Sequence, residues 1–346
     1  MEKVNLKALT QEGLADFFKR YRLPGYRVKQ LIHWMYEKRA TDIDSITEFS
    51  KALRQELGAV AYISNLDIVD TRGSSDGTTK YLLQLQDGQH IEAVLIPDAE
   101  RLTLCISSQV GCRMGCRFCL TGSVGFKRDL LAHEIVDQVI TVARDIAPDR
   151  ALTNIVLMGM GEPLDNFDEV VSALWRLTND VGLSRRHITL STCGIVPRML
   201  QLYRQAPAVN LAVSLNATTN QKRSAIMPVN NRYALEELLR TCRLIPLTPR
   251  ARITFEYVLL GGVNDGEDDA LRLCTLLRGI PSKVNLIPFN EYDGAPFKRP
   301  SDRGVLRFQR VLTDRHLTAL IRKSKGADIL AACGQLRGAC HLNTCP

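Results

Sequence analysis

No apolar run in this chain of 346 residues approaches the 18 or so that span a bilayer as a helix. Met1 opens no charged-then-apolar leader either. These two absences predict a soluble, unprocessed, cytoplasmic protein without a membrane partner. Disorder is not indicated: 45% of the residues are apolar, enough for one large core plus a small accessory domain. Cysteine, by contrast, is plentiful. Ten cysteines without a secretory leader argue for a reducing cytosol and for metal or thiol chemistry. The net charge of +8 and a pI near 9.0 suit a partner with a phosphate backbone, although small anionic substrates answer to the same field.

Three of the cysteines fall in one short stretch, Cys112-Arg-Met-Gly-Cys116-Arg-Phe-Cys119, directly after a strand-like run from Leu102 to Ser107. Thiolates at this CxxxCxxC spacing suit three corners of a cubane iron-sulfur cluster, which leaves the fourth iron free to bind and reduce a small molecule. A zinc site is the competing reading, but it closes with a fourth Cys or His, and none follows within reach of Cys119. The nearest candidate, His133, sits inside a helical pattern. Three unrelated buried thiols are the remaining alternative.

Along the chain, Leu6 to Tyr21 has apolar residues at helical spacing with Thr10 as a cap, Tyr26 to Lys38 is a second amphipathic helix, and Phe49 to Leu57 suggests a third. Arg20, Arg22, Arg27, Lys29, Lys51 and Arg54 form either a phosphate-facing surface or a solvated helical face. From Ile63 the pattern alternates, with turns at Ser74 to Gly77 and Asp87-Gly88, as in a short antiparallel meander. The expected organisation is a helical accessory, RNA-binding module at 1–60, a β meander linking to the core at 61–97, and a core at 98–346 with a C-terminal cysteine loop.

Within the core, strand and helix alternate about six times, with strands near 102–108, 154–159, 187–192, 209–215, 252–260 and 283–289. This predicts an α/β fold, a partial (βα)6 barrel with a parallel sheet. The unusual residues fall at the carboxyl ends of these strands: Gly159-Met-Gly-Glu-Pro163, Ser191-Thr-Cys-Gly194, Ser214-Leu-Asn216 and Asn290. Singly, each reads as a turn residue. Gathered on the rim that carries ligands in parallel α/β folds, they read as a binding pocket, with Glu162 suited to accept a hydrogen bond from an ammonium group.

The CxxxCxxC stretch with its aromatic before the last cysteine resembles the radical S-adenosylmethionine (SAM) superfamily. Leu104 to Cys112, Gly159-Met-Gly-Glu-Pro-Leu164, Leu190-Ser-Thr192, Ser214-Leu, Asn285-Leu-Ile-Pro288 and Ala332-Cys-Gly-Gln-Leu336 resemble, more narrowly, the RlmN/Cfr family of radical methyl synthases acting on RNA adenines. The resemblance extends into Pro24-Gly-Tyr-Arg-Val-Lys-Gln30. It implies a 4Fe–4S cluster on Cys112, Cys116 and Cys119, and SAM contacts at Gly161, Glu162, Ser191, Ser214, Leu215, Asn216 and Asn290. The family usually has His where this chain has Asn216.

The resemblance also implies a route suited to an electron-poor adenine carbon, which does not attack a sulfonium methyl directly. Cys333 takes a methyl from one SAM. A second SAM is cleaved at the cluster to a radical that abstracts hydrogen from the methylated Cys333, and the methylene radical adds to the base. Cys105 then resolves the adduct through a transient disulfide with Cys333, and Glu92 matches the family's proton acceptor. Two SAM per turnover, a donor such as flavodoxin or ferredoxin, 23S rRNA and tRNA as substrates, and a monomeric state complete this expectation. From spacing alone, Cys105 and Cys333 read equally as inert thiols. Cys193, Cys242 and Cys274 are assigned to core packing, and Cys340, His341 and Cys345 to a frayed tail. The competing activities are C8 methylation, a radical enzyme acting on a small molecule or protein, and a non-enzymatic iron-sulfur RNA-binding protein.

Overall fold

The computed structural model describes residues 3–147 and 150–338; Cys340, His341 and Cys345 lie outside the described residues. One sheet of ten strands carries the fold, and its strand order follows the sequence without a swap. The strands are β1 (Asp67–Gly73), β2 (Thr79–Gln84), β3 (His90–Asp98), β4 (Arg101–Ile106), β5 (Asn154–Leu157), β6 (Ile188–Thr192), β7 (Asn210–Ser214), β8 (Ile253–Leu259), β9 (Ser282–Pro288) and β10 (Ala319–Ile321). β1 to β4 pair antiparallel, while β4 to β10 run parallel.

Parallel neighbours need crossovers, and each gap between β4 and β10 holds one long helix. These are α4 (Ala132–Asp145), α5 (Phe167–Asn179), α6 (Val196–Gln205), α7 (Leu235–Leu244), α8 (Glu267–Leu276) and α9 (Asp302–Thr313), numbered after three N-terminal helices described below. The six strands read from the sequence are all present. β10 is a seventh that the sequence reading passed over, because three residues, Ala319 to Ile321, are too few to show an alternation.

The meander differs from a linker. β3 pairs with β4 in the register Val94↔Cys105, so the meander extends the parallel sheet into its antiparallel flank. Its strands read Tyr81, Leu82, Leu83 and Ile91, Ala93, Val94 as buried residues because the core continues beneath them.

The N-terminal segment folds as α1 (Gln11–Arg20), α2 (Tyr26–Ile32) and α3 (Lys51–Val60). Thr10 Oγ1 caps α1 by accepting from the Gly13 N–H (3.0 Å), and Ser50 Oγ caps α3 through Leu53 N–H (3.2 Å). The expected helix to Lys38 continues past α2 as a wider π turn over His33–Glu37. The segment is fastened to the barrel by buried polar contacts. Lys7, fully buried, pairs with Asp137 on α4 at 2.5 Å and donates to Ser64 O at 2.8 Å. Arg176 on α5 donates to the carbonyls of Lys7 and Leu9.

Among the described residues no helix is long and apolar enough to cross a membrane.

Candidate active site

At the carboxyl ends of the parallel strands the rim loops line a cavity of about 150 Å³. Cys112, Cys116 and Cys119 form one wall, and Gly161, Glu162, Ser191, Ser214, Asn216 and Asn290 line it with Cys333. Ten of the thirteen residues singled out from the sequence therefore share one space, although they span residues 112 to 333. The other three stand apart from its lining. Leu215 is fully buried, with its N–H bonded to Glu256 O (3.0 Å). Cys105 is buried in β4, its thiol accepting from the N–H of Met158, a residue of the cavity wall. Glu92 lies in β3, ion-paired with Lys80 (3.1 Å) and accepting from the N–H groups of Arg337 (2.7 Å) and Gly338 (3.2 Å).

The cysteine loop is held by its neighbours before any metal is considered. Cys112 N–H donates to Gly125 O, Cys119 N–H to Cys116 O, and Arg117 N–H to Ile226 O, each at 3.0 Å. Burial pushes the Cys112 thiol up to about 12, the Cys116 thiol well above its ordinary value, and the Cys119 thiol upward as well. Thiols so placed ionise only when a cationic group enters among them, which iron does. Three thiolates on one wall of an open cavity suit three corners of a cubane, which takes one thiolate per corner and leaves its fourth iron free for a small ligand.

Glu162 is prepared as an acceptor. Its two oxygens already accept from Leu164 N–H (3.0 Å) and Cys193 N–H (2.7 Å), which fix the carboxylate, while burial pushes its pKa up against those bonds. The turn that presents it requires glycine: Gly161 has φ +102°, and a Cβ there would lie 2.6 Å from Gln109 Cβ. Asn216 also sits at positive φ (57°), a region that Asn tolerates better than most residues. Its Oδ1 accepts from Val258 N–H (2.8 Å) and its amide reaches Met227 Sδ (3.2 Å), so much of its polarity is used inside the protein. Asn290 ties the two ends of the site together, donating to Cys333 O (3.3 Å) and accepting from Ser324 Oγ.

The Cys333 segment lies over the cysteine loop, with Leu120 N–H donating to Gly334 O (2.7 Å) and Thr121 Oγ1 to Leu336 O (2.5 Å). Cys333 itself lines the pocket. Burial raises the Cys105 thiol to about 12, with Cys333 adding to the rise and Arg322 opposing it.

Three residues of the site escaped the sequence reading. Cys193, assigned to packing, lines the cavity beside Glu162. Glu256 lies inward in β8, and its signal was legible as one acid within the apolar run Ile253–Leu259. Arg223 is fully buried behind the cavity and donates to the carbonyls of Leu215, Cys193 and Ser214, binding the ends of β6 and β7. It looks like any surface arginine in sequence.

Two family models match the chain: the radical SAM superfamily over residues 106–274, and the ribosomal RNA large subunit methyltransferase N-terminal domain over residues 4–63. A dual-specificity RNA methyltransferase RlmN of Desulfosudis oleivorans is 52% identical over 334 residues, covering 96% of this chain and 90% of that protein. Its counterpart in Pelobacter propionicus is 51% identical over 339 residues, covering 97% and 96%. The crystal structure of a radical SAM methyltransferase from Sphaerobacter thermophilus superposes with a TM-score of 0.92 at 43% identity, covering 97% of this chain and 100% of that one. Superfamily membership brings with it a 4Fe–4S cluster and SAM, which the cysteine wall and the rim residues fit. Matched over its N-terminal segment and its core by separate family models, and about half identical to these relatives over nearly its whole length, the chain belongs to the RlmN family of radical SAM proteins.

Proposed function

We propose that this protein methylates C2 of adenine in RNA, with large-subunit rRNA and the purine next to the tRNA anticodon as its substrates. The observation that carries the reading is the meeting of Cys333 with the cluster cysteines at one cavity, with Cys105 directly behind the wall. A radical enzyme acting on a small molecule needs only the cluster and the rim. A pair of thiols beyond the three loop cysteines is what an electron-poor adenine carbon demands, because its methyl must first be carried by the protein.

The cluster, when bound, supplies the electron for reductive cleavage of SAM. The chain's own residues do the rest. Glu162 and Asn290 orient the methionine end of SAM, Ser191 and Ser214 its remaining polar edge, and Cys112, Cys116 and Cys119 hold the iron. Cys333 accepts the methyl as a thiolate and carries it to the base. Cys105, a neutral thiol at rest, ionises and attacks the Cys333 sulfur to release the methylated RNA. Glu92 serves as proton acceptor from the base of the Cys333 segment. The resulting disulfide is reduced by external thiol before the next turnover, in which two SAM are used. A flavodoxin- or ferredoxin-type donor, a cytoplasmic setting and a monomeric enzyme belong to the same reading.

The test is anaerobic incubation of the reconstituted enzyme with SAM, reductant and unmodified rRNA or tRNA, followed by mass spectrometry of the nucleosides. 2-Methyladenosine is the expected product. 8-Methyladenosine moves the protein to the C8 branch, and cofactor cleavage without either product refutes the substrate assignment.

A further inference from the structure

Three residues before Cys112, one side chain reaches from the approach to the cysteine loop across to the turn that presents Glu162. Gln109 is fully buried and pairs with Asp129 in a short antiparallel ladder, Gln109–Gly111 with Phe126–Asp129. Its Oε1 accepts from the Glu162 N–H (2.9 Å), and its Nε2 donates to Asp129 Oδ1 (2.8 Å) and to Asp165 Oδ2 (2.9 Å). The amide cannot be turned over, because one end meets a donor and the other meets two carboxylates. The backbone is tied to the same turn: the N–H groups of Ser108 (2.8 Å) and Gln109 (3.2 Å) both donate to Met160 O. Glycine at 161 is what lets the two segments approach this closely, since a Cβ there would lie 2.7 Å from Gln109 N.

On the other side of Cys112, Arg113 returns to the same carboxylate. Its Nη1 donates to Asp165 Oδ2 (2.9 Å), and its guanidinium lies 3.5 Å from the centre of the Phe126 ring. Asp165 in turn donates its N–H to Glu162 O (3.0 Å). Arg113 is half exposed, so this ion pair by itself adds little. Gln109 carries the buried part of the connection. Residues 109 and 113 thus bracket Cys112, and both end on the turn from Glu162 to Asp165. A side chain kept only to fill this space would be apolar, as the buried Val110 beside it is.

We propose that Gln109 is a positioning residue for SAM, holding the Glu162 turn in fixed register with Cys112 so that the acceptor and the cluster loop meet the methionine end of one cofactor together. The inference rests on the reading above that Glu162 orients that end. Glu162 and Cys112 follow different strands of the sheet, and neither strand sets the distance between their loops. The Gln109 amide does, because it is bonded to the Glu162 backbone and lies on the same short ladder as the residues leading into Cys112. Such a link matters where two groups act on one ligand, since a displacement of about 1 Å can cost about 100-fold in rate.

The experiment uses the full chain with its cluster reconstituted anaerobically. It measures iron per chain, SAM affinity by equilibrium dialysis, and the electron paramagnetic resonance spectrum of the reduced cluster, frozen rapidly at saturating SAM. Gln109→Leu leaves the Glu162 N–H without its acceptor; it should keep its iron, bind SAM about tenfold or more weakly, and give a saturated spectrum different from that of wild type. A role in folding alone leaves the saturated spectrum unchanged. Gln109→Glu keeps the shape and the acceptor but turns an oxygen toward Asp129 and Asp165, so it should weaken SAM binding too. Adding Asp165→Asn places a donor opposite the new carboxylate and should recover about threefold or more. Wild-type affinity or a wild-type saturated spectrum in Gln109→Leu, loss of its iron, or a double variant no tighter than Gln109→Glu overturns the proposal. Glu162→Gln separates the two readings: unchanged SAM affinity there refutes the placement of the methionine end, whereas a loss there beside wild-type affinity in Gln109→Leu refutes the positioning role alone.

Discussion

Replacing Lys7 by Met tests how the N-terminal segment is fastened to the barrel. Lys7 and Asp137 are 0% and 1% exposed, and the ammonium serves both Asp137 and the Ser64 carbonyl. Burial drives the Lys7 pKa down while Asp137 opposes that shift. In Lys7→Met the carboxylate keeps only the Ser64 hydroxyl, at 3.3 Å. It either remains charged, with only the more distant Arg144 to oppose it, or takes up a proton. Protonating a carboxylic acid of ordinary pKa near 3.9 costs about 4 kcal/mol at pH 7 and about 1.5 kcal/mol at pH 5. That sets the ceiling of the loss and agrees with the ~3–5 kcal/mol typical of breaking one side of a buried pair. The sign follows: the variant's folded state binds the extra proton, so its deficit shrinks as pH falls. Lys7→Met with Asp137→Leu removes both charges and should return to within about 1.5 kcal/mol of wild type. Urea unfolding followed through Trp34 in the N-terminal segment and Trp175 on α5 provides the readout. A single variant as stable as wild type at pH 7, or a double variant less stable than the single one, refutes the reasoning.

Gly161→Ala places a Cβ 2.6 Å from Gln109 at φ +102°, a strain of about 2 kcal/mol or more that should show as SAM affinity at least tenfold weaker by equilibrium dialysis; unchanged affinity removes the case for a required glycine. Cys105→Ala should still form S-methylcysteine at Cys333 but accumulate a covalent RNA adduct on denaturing gels, and normal turnover in this variant refutes the resolving role. Changing the exposed Arg20, Arg22, Lys29 and Lys51 together to Gln should flatten the salt dependence of RNA binding by roughly 0.7–0.9 for each phosphate that is no longer neutralised; an unchanged slope assigns that face to solvent. For Asp76, burial favours a higher pKa, but hydrogen bonds from Thr78, Gly326 and Ser74 overcome it and hold the group at about 2. Its hold on Gly326 is therefore complete above the ordinary value of 3.8 and lost as pH falls through 2, so acid should expose the 322–338 segment to pepsin, and Asp76→Asn should do so already at pH 4.

The parts of the site that were legible in sequence are those whose chemistry depends on local spacing. Cys112, Cys116 and Cys119 lie on one loop, and Gly161 with Glu162 on one turn, so a few consecutive residues carry the whole signal. The rim residues Ser191, Ser214 and Asn290 were legible by position, because strand ends in a parallel sheet face the same way. Glu256 showed only as one acid within a strand, and its approach to Arg322 was not legible at all, since it arises only when β8 and β10 are laid out with β9 between them. The meander shows the same limit. Its alternation marked the three strands, but nothing local says that β3 lies next to β4. Arg223 shows the limit most clearly: one buried guanidinium joins the adjacent carbonyls of Ser214 and Leu215 to that of Cys193, on the strand end before them.

That pairing of β3 with β4 changes what the meander does. The segment carrying Cys333 is bonded along its length to elements from the first third of the chain: Asp76 accepts from Gly326 N–H (3.0 Å), Ser74 Oγ donates to Asp328 (2.6 Å), Lys80 donates to Leu330 O (3.2 Å), and Glu92 accepts from Arg337 and Gly338. From the barrel side, Asn290 and the Glu291 carbonyl hold Cys333 O and the Gln335 amide. On the route proposed above, the Cys333 thiol receives a methyl, presents it to a base and is then attacked by Cys105, which requires it to stay in register with both β4 and the 112–119 loop. β1 to β3 supply that register as a rigid flank of the sheet that holds Cys105. A lesion in the turn at Ser74 to Gly77, which lines no part of the cavity, therefore reaches the Cys333 segment through the bonds to Gly326 and Asp328.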